Sequence, residues 1–125
     1  MTLRTTTRIG LALSFSALLS GVGLSSADAS TSQCPPDWFC VWTNNDYTGA
    51  FGRFRLGDRD LAIDFPSLNN NIESVWNRTI YPVSIYQNAG YSGPCSAIGT
   101  GVLRPLTGTA RNTVSSIRVS DRCSG

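Results

Sequence analysis

Two stretches of this chain carry the same punctuation. Trp42, Tyr47 and Gly49, spaced as aromatic-x4-aromatic-x-Gly, recur as Tyr86, Tyr91 and Gly93. Downstream, Asn70-x-x-x-Ser74 recurs as Asn112-x-x-x-Ser116, each just ahead of an apolar residue, Val75 or Ile117. The two sets of marks keep nearly the same offset, so the chain contains a unit of about 40 residues twice.

Between the marks the periodicity is that of short strands. The segments FCVWTN, FGRFRL, IESVWN, VSIYQN, CSAIGT and VSSIRVS combine β-branched and aromatic residues with partial alternation. Glycine, asparagine, aspartate and proline separate them. No convincing helical stripe follows residue 30. The pattern predicts an all-β domain of about eight short strands, a sandwich or a barrel.

The first residues read differently. Arg4 and Arg8 precede the mostly apolar or small run Ile9–Leu24, and Ala27-Asp28-Ala29 has the small-x-small form of a cleavage site. That combination predicts a secretory signal peptide over 1–29. The run is too short and too interrupted by serine to be read as an anchor, so no stable membrane anchoring is expected. Residues 30–125 are then one domain, with a first unit at about 39–78 and a second at about 82–120.

Residue inventory narrows the chemistry. There is no histidine, which rules out Ser-His-Asp and Cys-His machinery and imidazole metal sites. The formal charge of +2 gives no electrostatic case for nucleic acid or anionic lipid. Basicity without lysine resembles the usage of GC-rich actinobacteria. The four cysteines, Cys34, Cys40, Cys95 and Cys123, are an even set in an exported chain and read as two disulfides. Three pairings are available; Cys34–Cys40 with Cys95–Cys123 fits best because it closes each half separately. Those loops stabilise by about 2.4 and about 3.6 kcal/mol in the chain-entropy account.

The repeated marks resemble the βγ-crystallin Greek key. That resemblance implies a double Greek-key sandwich in which the glycine adopts positive φ, Tyr47 and Tyr91 pack on a folded hairpin, and Ser74 and Ser116 bond that hairpin's backbone. The opening CPPDWFC, the single domain of this type and a central SVWNRT also resemble secreted actinobacterial peptidase inhibitors of the Streptomyces metalloproteinase inhibitor type. Inhibitors of that type carry their second disulfide as a short local loop, whereas Cys95 and Cys123 are far apart, so no reactive-site residue is carried over.

The candidate sites follow from these readings. The loop Pro35-Pro36-Asp37-Trp38-Phe39 is either a rigid binding clip or a staple at the start of the fold, and the staple is the reading adopted. Many βγ-crystallin domains hold calcium at Asx-Asx-x-x-Ser/Thr-Ser segments. Here Asn69, Asn70 and Glu73 form the better candidate for a weak calcium site and Arg111–Ser116 the poorer one, with turn structure as the plainer role for both. Asp58, Asp60 and Asp64 read as solvated loop charges and not as a hydrolytic pair. Arg59, Arg104 and Arg111 are candidates for a trypsin-like pocket, each equally an ordinary surface charge. Asn77-Arg78-Thr79 is a glycosylation sequon, without meaning in a bacterial source.

The expected function is proteinaceous inhibition of an extracellular metallo- or serine endopeptidase, by a monomer that blocks the cleft with a rigid loop and uses no cofactor. The alternative is a crystallin-type extracellular module without inhibitory activity, either calcium-binding or killer-toxin-like.

Overall fold

The computed structural model describes residues 30–123; the signal peptide expected over 1–29 lies outside the described residues. Among these residues are eight strands: β1 (Phe39–Trp42), β2 (Phe51–Phe54), β3 (Gly57–Asp58), β4 (Ser74–Asn77), β5 (Val83–Asn88), β6 (Ser92–Ile98), β7 (Leu103–Pro105) and β8 (Ser116–Val119). They form two antiparallel sheets in the orders β2-β1-β4-β7 and β3-β8-β5-β6. The first sheet takes three strands from the first key and β7 from the second. The second sheet takes three from the second key and β3 from the first. Each key therefore lends its third strand to the other, and neither sheet is complete without both.

The alternation along β1 explains how the layers close. Phe39 and Val41 enter the core between the sheets with Val75, Val83, Ile85, Ile98 and Ile117. Cys40 and Trp42 point the other way, yet they too are buried. A second cluster covers them, in which Cys34 and the partly buried Trp38, Tyr47, Phe51 and Trp76 pack together. Each aliphatic side chain fully removed from water contributes about 1.5–3 kcal/mol, so both clusters matter to a small domain.

Among the described residues two short helical turns interrupt the strands, one α-helical and one a 3-10 turn at Gly108–Ala110. α1 (Leu61–Asp64) is capped by Asp60, whose carboxylate accepts the Ala62 amide. The sequence shows no helical stripe there because a single turn buries one side chain, Leu61.

Candidate functional site

The repeated marks sit at equivalent places in the two keys. Tyr47 and Tyr91 have φ of 64° and 58° and Gly49 and Gly93 of 91° and 81°, so the chain folds back sharply at the tip of the β1–β2 and β5–β6 hairpins. A Cβ on Gly49 would lie 2.4 Å from Thr43 Oγ1, and one on Gly93 2.4 Å from Asn88 Nδ2. Ser74 Oγ donates to the Asn44 carbonyl and Ser116 Oγ to the Asn88 carbonyl, both at 2.6 Å. Tyr47 stands edge-on to Trp42 with centroids 5.6 Å apart, and Tyr91 packs on Tyr86 at 6.1 Å.

Cys34 is joined to Cys40 and Cys95 to Cys123. The first bridge holds the opening loop against β1, and Arg78 holds it from the other side. The Arg78 guanidinium donates to the Cys34 carbonyl at 2.8 Å, the Arg78 amide to the Trp38 carbonyl at 2.9 Å, and the Asp37 amide to the Arg78 carbonyl at 3.1 Å. The Trp38 ring lies against the guanidinium groups of Arg53 and Arg55 at 4.6 and 5.2 Å. Its ring is thus engaged within the domain.

The candidate calcium ligands meet across the approximate two-fold relation of the keys. Asn70 Oδ1 accepts from Ser115 Oγ at 3.1 Å, while Asn112 Nδ2 donates to Glu73 Oε2 at 2.9 Å. Arg111 pairs with Glu73 Oε1 at 3.0 Å. Both carboxylate oxygens of Glu73 thus have cationic or amide donors. Asn69 Oδ1 is buried without a hydrogen-bond partner. The internal partners of the other residues are what the turn role asks of the segment, and among the described residues no group of three or more histidines, cysteines and acids could hold a metal.

The Asn112 amide and the Arg111 guanidinium hold the Glu73 carboxyl below its usual range. A depressed carboxyl pKa stabilises the fold above the unfolded value and ceases to do so as pH falls through the folded one. Glu73→Gln therefore melts below wild type at neutral pH, and the gap closes as pH drops below the ordinary 4.5. A gap that persists or widens in acid contradicts this.

Two of the acids of GDRDLAID, expected to be solvated loop charges, accept backbone amides, Asp60 at the helix cap and Asp58, while Asp64 is exposed. Asp58 Oδ1 accepts the Asp60 amide at 2.9 Å. Partial burial pushes the Asp58 carboxyl up, and Asp64 beside it adds to that. Of the three arginines, Arg111 is paired with Glu73, Arg59 lies over the Tyr91 ring, and Arg104 is exposed on the edge strand β7. The sequon asparagine, Asn77, is fully buried, which leaves no room for a glycan.

The sequence reading passed over the residues that stand out most in the structure. Leu56 is 84% exposed, Ile80 76% and Tyr81 48%, and all three border one groove of about 490 Å³ with Asp37, Arg55 and Thr79. The signal was present as two large apolar residues ahead of Pro82 at the junction of the keys.

Two interlocked keys with exchanged third strands and paired Tyr-x-Gly folds define a βγ-crystallin-like domain, and solved structures agree. A βγ-crystallin domain from Flavobacterium johnsoniae is similar at 30% identity over 65% of this chain and 91% of that one, with a TM-score of 0.57. One from Ciona intestinalis matches at 16% identity over 66% and 98%, TM-score 0.57, and one from Clostridium beijerinckii at 17% over 66% and 97%, TM-score 0.57. No curated protein matches the chain by sequence. The pattern of peptidase inhibitor family I36 matches residues 27–98, and the chain belongs to that family. The family is one of inhibitors, not enzymes, and it makes a peptidase the partner.

Proposed function

We propose that the protein is exported and inhibits an extracellular metallo- or serine endopeptidase by blocking its cleft with a rigid surface segment, as a monomer and without a cofactor. Membership of peptidase inhibitor family I36 carries this reading. Two disulfides, which persist in oxidising compartments, favour a site of action outside the cell, and so does the signal-peptide pattern of residues 1–29. Among the described residues no helix is long and apolar enough to cross a membrane. The stapled sandwich supplies the stiffness that a blocking segment needs, because a segment ordered before binding loses less entropy on association.

Titration of the purified protein into a thermolysin-like metallopeptidase, a subtilisin, a chymotrypsin and a trypsin tests the reading. Stoichiometric loss of activity at nanomolar concentration is expected for at least one of them. Full activity of all four at micromolar inhibitor contradicts it. The calcium-binding alternative is disfavoured by the Arg111–Glu73 pair.

A further inference from the structure

We propose that the surface entering the peptidase is the knuckle Thr79–Tyr81 with Leu56 beside it, and that its partner is the apolar specificity pocket of an endopeptidase that cuts next to large apolar residues. This inference rests on the inhibitor reading above and adds the contact surface and the target's specificity.

Single exposed apolar side chains are common on soluble proteins. Here three converge from separate parts of the chain. Leu56 comes from the link between β2 and β3, whereas Ile80 and Tyr81 come from the link between β4 and β5, and all three line one groove. Both links are fixed from beneath. The Leu56 carbonyl accepts the Val119 amide at 3.0 Å. Under the knuckle, Asn77 acts as a hub: its Nδ2 donates to the carbonyls of Tyr81 at 2.8 Å and Ile98 at 3.0 Å, and its Oδ1 accepts the Thr79 amide at 3.0 Å and the Thr79 hydroxyl at 2.7 Å. The Tyr81 amide donates to Thr79 Oγ1 at 3.1 Å. A tip held this firmly presents Ile80 with little ordering left to be done on binding.

The same bonds decide how the tip binds. Both the amide and the carbonyl of Tyr81 are used internally, so Tyr81 has no main-chain group left to pair as part of an added strand in a peptidase cleft. The knuckle binds as a side-chain plug, with Ile80 as the anchor. Arg55 lines the groove on one side of Ile80, and Arg122 lines a second depression on the other side with Pro82. Against them stands Asp37 alone among the acids of the two linings. The rim therefore complements an acidic cleft edge, and association slows as salt rises.

The test compares inhibition constants for wild type, Ile80→Asp, Leu56→Asp and, as a control on the far-exposed helix position, Ile63→Asp, against whichever of the four peptidases wild type inhibits. The expected target is the metallopeptidase, the subtilisin or the chymotrypsin, with trypsin spared. Ile80→Asp weakens inhibition by about 100-fold and Leu56→Asp by about 10-fold, as truncated interface anchors do, while Ile63→Asp stays within about 2-fold. All three sites are exposed, so melting temperatures stay near wild type and a loss reports on binding. Undiminished inhibition by both Ile80→Asp and Leu56→Asp overturns the proposed surface and leaves the inhibitor reading standing, as does inhibition of trypsin alone. A wild type that inhibits none of the four overturns both.

Discussion

Replacing Asn77 with alanine lowers the stability of the domain by about 3–5 kcal/mol, because several polar groups around one buried site lose their partner together. The side chain is fully buried. It satisfies the carbonyls of Tyr81 and Ile98 and the amide of Thr79. Alanine leaves the Ile98 carbonyl and the Thr79 amide without that partner, away from water, and each such group costs about 1–3 kcal/mol. The Tyr81 carbonyl keeps the Thr79 hydroxyl at 2.9 Å, which limits the loss there. A leucine of similar size restores volume and none of the bonds. Chemical denaturation gives the value directly, and a cost below about 1 kcal/mol would show that the hub is dispensable. The same variant loosens the knuckle above it and so weakens inhibition as well.

Removing the Cys95–Cys123 bridge by alanine at both positions costs about 3.6 kcal/mol, against about 2.4 kcal/mol for Cys34–Cys40, since the longer loop restricts the unfolded chain more. The bridge spans 28 positions and joins β6 to the segment after β8. A domain of this size holds about 5–15 kcal/mol in all, so either loss is visible and the double loss approaches unfolding. The folded-state contacts point the same way: the Cys123 amide donates to Ser84 Oγ at 2.7 Å, tying the end of the chain to β5. Denaturation curves of the two double variants measure both costs. An equal effect of the two, or a smaller one for Cys95/Cys123, contradicts the loop-length argument.

What could be read from the chain beforehand was whatever depends on local spacing. The aromatic-x4-aromatic-x-Gly marks describe one hairpin fold, and every residue of that fold is close in sequence. The strands β1, β2, β4, β5, β6 and β8 were legible for the same reason. β3 and β7 were not: Gly57–Asp58 and Leu103–Pro105 carry no pattern of their own and exist as strands because they pair with β8 and β4. The Arg111–Glu73 pair was equally hidden, since no local spacing says that position 73 faces position 111. For the surface around Ile80, the sequence offered a sequon and two apolar residues ahead of Pro82, and no local spacing says that those two are exposed. The sequon's asparagine serves as an internal brace, and the apolar residues beyond it are what the brace presents.

The most direct test of cleft blockade is the substrate dependence of inhibition for the peptidase that the protein inhibits. Initial rates are measured across inhibitor concentrations at several levels of a small peptide substrate. Cleft blockade gives one inhibitor per enzyme and an apparent inhibition constant that rises linearly with substrate, because both need the same cleft. An apparent constant indifferent to substrate would place the protein elsewhere on the enzyme and contradict it.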